Sequence, residues 1–434
     1  MRKTILLFPV MMSAACVVSG HSQATPTVTP TIAAAGTVPS ISSAPIAGEF
    51  SYSLTASEAY VKGYQGIGNS GSSTNISGQA TYVSNSESHP LSVLYSGGYF
   101  FGNGSSLNSS SYQNLGVSQI LNARRWRLGI ADTITFLPSS PVYGVSGVPF
   151  SGDVGTTPIT TGQVPTQSIL TNYGEQVSNT VSGSVARDIT GKTFVEGFGS
   201  YTVQRFLQTG LNNNDLTASA SLGHRFSARD TITGSYTYAN YSFAGTVAGL
   251  NNFAFTANGF TGSYSHAFTR KLSLQLSAGP QWISSNNAAL IPDRVLFASA
   301  VSIAYTGERT RMTLGYNRSP NIGSGVLLGA LSDNINVSAQ RNFTRDWSGG
   351  ITANYGRASG LANIPGQNTL TNSFYGGVQA NRRIGENFSA FGSYNAATQT
   401  SRDAALTQNA FDGTAHIVTV GITFSPRSMR LGRP

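Results

Sequence analysis

The sequence predicts an all-β transmembrane protein, an antiparallel up-and-down barrel of about eighteen strands, and three observations predict it. Short stretches along most of the 434 residues alternate apolar and polar side chains, and period two puts every second side chain on one face of a strand. Charged residues make up only 10% of the chain, against ~25% in ordinary soluble domains, with Gly, Ser, Thr and Asn supplying the polarity. No run of ~18 or more apolar residues follows the N-terminal segment, which excludes helical spans. The faces are also informative. In Lys271 to Ile283 (KLSLQLSAGPQWI), Leu272, Leu274, Leu276, Ala278 and Trp282 share one side, and Ser273, Gln275, Ser277 and Gln281 share the other. Such a pattern suits lipid outside and water inside.

The chain opens with a secretion signal. Arg2 and Lys3 form a basic head, Ile5 to Val18 an apolar stretch, and Ser22-Gln23-Ala24 a small-residue cleavage site, so residues 1–24 are expected to be removed. The apolar stretch is too short for a membrane anchor. Cleavage would remove Cys16, the single cysteine, and lower the formal charge from +9 to +7; no disulfide framework is available. Residues 25–48 are rich in Pro, Thr and Ala without aromatics or charges, and read as an extended periplasmic linker.

Alternation begins at Phe50. Parity assigns strands to 49–60, 73–84, 89–101, 111–123, 126–137, 175–186, 193–205, 216–226, 230–240, 255–268, 271–283, 294–306, 310–318, 331–343, 346–357, 372–384, 387–397 and 414–424. Merging one hairpin would give about sixteen strands, also an even count. The connections alternate in length. Asn122–Arg125, Phe226–Asp230, Phe268–Lys271, Phe343–Asp346 and Ile384–Asn387 are short; Gly63–Ser72, Tyr241–Phe253 and Arg357–Thr371 are longer and rich in Gly, Asn and Ser. Short periplasmic turns and long extracellular loops are expected of such a barrel when both termini lie on the periplasmic side. HRFSARDTITGSYTY, HAFTRKLSLQLS, RNFTRDWSGGITANY and RRIGENFSAFGSY are loosely repeated hairpins, without the fixed core of a solenoid or the blade signature of a propeller.

The last strand, HIVTVGITF (His416 to Phe424), places Val418, Val420, Ile422 and Phe424 in phase. With the signal segment and the alternation over residues 50–424, it makes the chain resemble the bacterial outer-membrane β-barrel family, specifically its porin-like members. The resemblance implies residence in the outer membrane, contact with its lipid, and a terminal aromatic read by the barrel assembly machinery. It is architectural and brings no functional residue with it. The tail 425–434, with Arg427, Arg430 and Arg433, departs from the family's aromatic end.

The two faces predict what the barrel does. Aromatics gather near strand ends on the lipid phase: Trp126, Phe226, Phe268, Trp347 and Phe388 towards the short turns, and Tyr60, Phe101, Phe136, Tyr238, Trp282 and Tyr355 towards the loops, as two headgroup-level girdles would require. The opposite phase is small and polar, and in a barrel of this size an aqueous lumen is expected. Arg127, Glu196, Arg311 and Arg383 are the candidate lumen charges. Asp132 falls on the lipid phase, where a carboxylate is costly; a bulge, a subunit interface or a wrong register would each account for it. The longest loop, 138–171, carries Tyr143, Phe150 and Asp153 as candidate constriction residues, since long loops of porins often fold inward.

The sequence holds no catalytic, cofactor or metal motif. His89 has only Glu87 nearby, too few ligands for a metal, the carboxylates are scattered, and no helix follows the Gly-rich loops to make a phosphate cradle. A basic balance without helices or basic-aromatic motifs gives no reason to expect nucleic acid. The expected function is passive diffusion of small hydrophilic solutes through an outer-membrane porin-like channel, with a homo-oligomer as one form of assembly open to it. The alternatives are a barrel component of exopolysaccharide or other export machinery, and an outer-membrane barrel enzyme using His224, His266 or His416.

Overall fold

Each alternating stretch becomes one strand, and among the described residues no helix interrupts them. The computed structural model describes residues 48–63, 70–84, 86, 88–103, 109–137, 176–207, 212–243, 246–247, 250–323, 327–363, 370–402 and 412–431. The first nine barrel strands are β1 Gly48–Lys62, β2 Ser70–Ser84, β3 Leu91–Asn103, β4 Ser110–Ala123, β5 Trp126–Leu137, β6 Gln176–Asp188, β7 Thr193–Phe206, β8 Asn213–Arg225 and β9 Asp230–Phe243. A minor hairpin follows, β10 Thr246–Val247 and β11 Leu250–Asn251. The barrel resumes with β12 Ala254–Ala267, β13 Leu272–Ser285, β14 Arg294–Thr306, β15 Thr310–Asn321, β16 Ala330–Asn342, β17 Trp347–Gly360, β18 Leu370–Ile384, β19 Phe388–Arg402 and β20 Gly413–Phe424. A three-residue strand, β21 Met429–Leu431, ends the described chain.

Every barrel strand pairs antiparallel with its neighbours in sequence, and β20 returns to pair with β1 from Leu54 opposite Phe424 to Lys62 opposite His416. The result is a closed up-and-down barrel of eighteen strands. The sixteen-strand variant is excluded. Closure removes free edges, the condition for a sheet to sit in lipid. The tail after Phe424 does not simply leave the barrel, because β21 pairs with Gly48–Phe50 below the β1–β20 seam. The signal segment and the linker as far as residue 47 lie outside the described residues.

Parity separates the two faces as the sequence predicts. Leu54, Ile76, Leu128, Val181, Leu222, Phe260, Leu314, Ile351, Val378 and Val420 are all exposed on the outer face. Of the eleven girdle aromatics, all but the half-buried Phe136 and Tyr238 are at least 41% exposed. The two girdles sit at opposite ends of the strands. On the inner face the same strands present Ser53, Thr55, Ser57, Asn75, Thr217, Ser302, Asn334, Asn354, Asn395 and Thr419, all buried.

Asp132 is on the outer face, and its register is unbroken: β5 pairs continuously with β6 from Trp126 opposite Arg187 to Leu137 opposite Gln176. No bulge rotates it inward. Asn179 of β6 donates its amide to Asp132 Oδ1 at 2.7 Å, so the carboxylate is hydrogen-bonded within the apolar belt.

These assignments separate adjacent residues of one strand. Leu276→Arg, on the outer face, is expected to cost ~2–4 kcal/mol, while Ser277→Arg, one residue on and facing inward, is expected to cost under about 1 kcal/mol. Urea unfolding from lipid vesicles measures both, and equal losses would contradict the assignment of faces.

Candidate functional site

The inner wall differs between its two ends. At the loop end, parity brings large apolar side chains inward. Tyr241 and Phe243 at the end of β9, Phe255 and Ala257 at the start of β12, and Ile283 near the end of β13 form one buried cluster. The rings stack: Tyr241 on Phe255 at 4.7 Å and 28°, Phe243 on Phe253 at 5.8 Å and 27°. Offset stacking adds to the area that such rings bury.

The cluster is completed by connections that turn into the barrel. Leu290 and Ile291 from 286–293, Leu328 from 322–329, and Leu361 and Ala362 after β17 all pack on it. Hydrogen bonds to backbone carbonyls fix them. Ser285 Oγ donates to the Ile291 carbonyl at 2.8 Å, Asn363 N to the Leu290 carbonyl at 2.6 Å, and Leu361 N to the Gly329 carbonyl at 2.9 Å. Arg294, facing inward on β14, donates to the Leu361 carbonyl at 2.8 Å. Such contacts between distant strands are available only through the concave side.

One cluster reaches further. Phe206 at the end of β7 shares a buried cluster with Leu327, Ala330 and Ala358. In the sheet, β8, β9 and β12–β15 stand between β7 and β16, so the segment at Leu327 reaches from one sector of the wall to another and narrows the loop-end mouth. A smaller apolar cluster lines the seam side, with Val61, Phe100, Tyr112 and Ile417.

Gly329 shows how tight this packing is. Its φ is +79°, and a Cβ there would stand 2.8 Å from the Phe255 ring and 3.2 Å from Leu361 Cδ1. Only glycine meets both the backbone and the space requirement.

At the turn end the inner wall carries charge. Arg127 of β5 lies 3.9 Å from Asp188 Oδ2, and Arg225 of β8 lies 3.8 Å from Asp188 Oδ1. Arg225 also stacks over Phe194 at 4.8 Å. Glu196 of β7 is in line with Arg127 across the sheet, both standing opposite Ala186 of β6. Arg127 is buried although charged, which a nearby carboxylate makes tolerable.

Two of the four charges singled out in the sequence, Arg127 and Glu196, thus fall in one group. Arg311 stands apart and exposed, and Arg383 turns back to the Gly385 and Glu386 carbonyls at 3.0 and 3.2 Å. Tyr143, Phe150 and Asp153 lie outside the described residues. The inward-packed connections were not singled out in the sequence. Their signal is Leu290-Ile291, Leu327-Leu328 and Leu361, large apolar residues within connections rich in Gly and Asn. Asp188 and Arg225, which complete the charged group, follow from strand register rather than from any spacing.

Among the described residues, His224, His266 and His416 lie on separate strands and do not join into one Ser–His–Asp arrangement. Asp230 Oδ1 accepts from His266 Nδ1 and from Tyr264 OH, both at 2.7 Å, and Ser227 Oγ donates to Asp230 Oδ2 at 2.5 Å. The carboxylate stands between serine and imidazole, whereas an activated serine needs the imidazole in the middle. His224 bonds Thr193 Oγ1 at 2.9 Å, and His416 bonds Tyr394 OH at 2.8 Å. All three histidines take the outer phase.

No protein-family model and no curated protein sequence matches this chain. Solved structures similar in chain path include Pseudomonas aeruginosa OccK2 (OpdF), with a TM-score of 0.43, 8% identity, and coverage of 87% of this chain and 98% of that one. Acinetobacter baumannii OccAB4 gives a TM-score of 0.43 at 10% identity, covering 87% and 98%. Pseudomonas aeruginosa OpdK, solved with vanillate, gives 0.42 at 9% identity, covering 88% and 99%.

Gly329→Ala is expected to destabilise the barrel by about 1–3 kcal/mol and to expose the segment at Leu327–Leu328 to protease. Gly234→Ala, where a Cβ meets nothing within 4 Å, should be near neutral. Unfolding and limited proteolysis of the two variants side by side check this.

Proposed function

We propose that this protein is an outer-membrane channel through which small hydrophilic solutes diffuse passively, its short turns facing the periplasm. The carrying observation is the pairing of an apolar outer face with a polar inner one around a closed barrel. A lumen of Ser, Thr and Asn makes sense only if water enters it. The inner wall of β2 supports this: Ser73 Oγ, both side-chain amide atoms of Asn75 and Ser77 Oγ are buried without a protein partner. Groups so placed are normally satisfied by ordered water.

Selection in this reading has two stages. The mouth narrowed by Leu290, Ile291, Leu327, Leu328 and Leu361 limits solute width. The inward charges Arg127, Glu196 and Arg225, with Arg311 and Arg383 nearer the turns, weight passage by charge, as rings of fixed charge do in pores. An enzymatic barrel is the weaker reading, because Asp230 separates Ser227 from His266.

Purified protein in planar bilayers tests the proposal. Discrete conductance steps are expected, larger after residues 287–291 are replaced by a Gly-Ser link. Arg127→Gln together with Arg225→Gln should move the reversal potential in a salt gradient towards cation preference, since two cationic groups leave the wall. A folded, inserted barrel that passes no current would refute the channel.

A further inference from the structure

Charge is shared unevenly between the two rims. Each turn from 124–125 round to 343–346 carries a basic residue: Arg125, Lys192, Arg229, Lys271, Arg309 and Arg345. Arg427 and Arg430 follow the last long strand. Much of the acid at this rim is already engaged. Asp188 faces Arg127 and Arg225, Asp230 holds His266 and Tyr264, and Glu386 pairs with Arg427 at 2.8 Å. Glu49, which accepts from Ser428 Oγ, and Glu308 and Asp346 remain against the turn cations. At the loop end, by contrast, the outward Arg318 is neutralised by Asp333 at 2.9 Å.

Two outward pairs show what the positive rim presents at membrane level. Trp126 of β5 stands directly opposite Arg187 of β6, with the guanidinium carbon 4.8 Å from the ring centroid. Trp347 of β17 stands directly opposite Arg382 of β18, at 5.4 Å. The same construction therefore recurs on separate sectors of the barrel, each time at the strand end next to a short turn. All four side chains are exposed and in phase with the apolar belt. Among the described residues, no salt bridge engages either guanidinium.

An indole settles at the headgroup level of a bilayer. A guanidinium stacked on its face is held at the same level, and its N–H fork remains directed sideways, matched to a phosphate. We propose that the short-turn rim selects anionic phospholipids, with each Trp–Arg pair holding one headgroup phosphate and the turn cations adding attraction. The inference goes beyond the channel proposal and shares with it only the reading that the belt lies in lipid.

The chain's three tryptophans make the test direct. Trp126 and Trp347 report on this rim, and Trp282, exposed on the outer face near the opposite end of β13, is the internal reference. Variants keeping one tryptophan each, the others changed to Phe, are reconstituted in vesicles of phosphatidylcholine and phosphatidylglycerol, with either lipid brominated in its chains. Quenching by brominated phosphatidylcholine alone establishes insertion, so failure of the spanning reading is seen separately from failure of the lipid preference. At Trp126 and Trp347 the phosphatidylglycerol preference is expected to reach about fivefold, the usual strength of one basic side chain at an anionic surface. Arg187→Gln and Arg382→Gln should each bring the preference at the neighbouring indole close to unity. Arg187→Lys, which keeps the charge and loses the fork, should retain part of it. Trp282 should show no preference throughout. Equal quenching by both lipids at all three positions would overturn the proposal, as would a preference indifferent to the arginine changes. Sedimentation of the rim-intact protein with purified cell-wall polymer, without any lipid preference, would reassign the surface to that polymer and also overturn it.

Discussion

A sheet in lipid must leave no backbone group unpaired, and the β1–β20 seam is where this chain meets that requirement. A lipid-exposed edge would carry a row of N–H and C=O groups, each costing several kcal/mol in hydrocarbon. Pairing from Leu54–Phe424 to Lys62–His416 removes both edges at once. The seam is also fixed from inside: Thr55 and Thr423 bond through their hydroxyls at 3.0 Å, both buried. At its lower end Phe424 packs on Phe388 at 5.1 Å and against Tyr52 at 6.5 Å, joining the last strand to both neighbours. Once the ring is closed, the register of every strand is set, and a slip of one residue would turn the apolar set into the lumen.

That dependence explains why so much of the fold was legible. A strand that is half in oil and half in water must alternate, and each of the eighteen strands does so clearly enough to be placed by parity. Leu272 to Ile283 is the plainest case, with Leu276 outward and Ser277 inward as its pattern requires. Even Asp132, the residue that argued against the parity, turns out to follow it. The belt accommodates the carboxylate through the Asn179 amide rather than through a change of register.

The loop-end mouth was not legible, for a physical reason. Parity carries a meaning only while one face sees lipid and the other water. Near the mouth the inner face sees neither, because other segments of the chain cover it. Tyr241, Phe243 and Phe255 therefore break the rule that apolar means outward, and nothing within their own strands announces it. Their partners, Ile291, Leu328 and Leu361, come from connections some 40 to 120 residues further along. The long loop carrying Tyr143, Phe150 and Asp153 lies outside the described residues. Among the described residues the inward packing comes from 286–293, 322–329 and 361–363, segments that their length alone does not single out. The charged group at the other end was half legible for a similar reason. Arg127 and Glu196 could be placed inward by parity, but the meeting of Asp188 with Arg127 and Arg225 depends on register across four strands.

At the turn rim, period two gives neighbouring residues opposite surroundings. Trp126 is exposed on the outer face while Arg127 lies inside beside Asp188. Arg187 covers the Trp126 ring while Asp188, the next residue, faces the lumen. Arg382 covers Trp347 while Arg383 caps the turn carbonyls of Gly385 and Glu386. A doublet of polar residues at a strand end is thus divided between the outer face and the inner wall of the barrel by the pleat alone. In the proposed membrane setting the outward member would meet a headgroup layer where an arginine is useful; the inward member meets a wall where charge needs a partner or water. The register that closes the backbone ring therefore also decides which arginine takes the outer face and which the inner, so the chemistry of the two faces of this rim cannot be altered independently by shifting a strand.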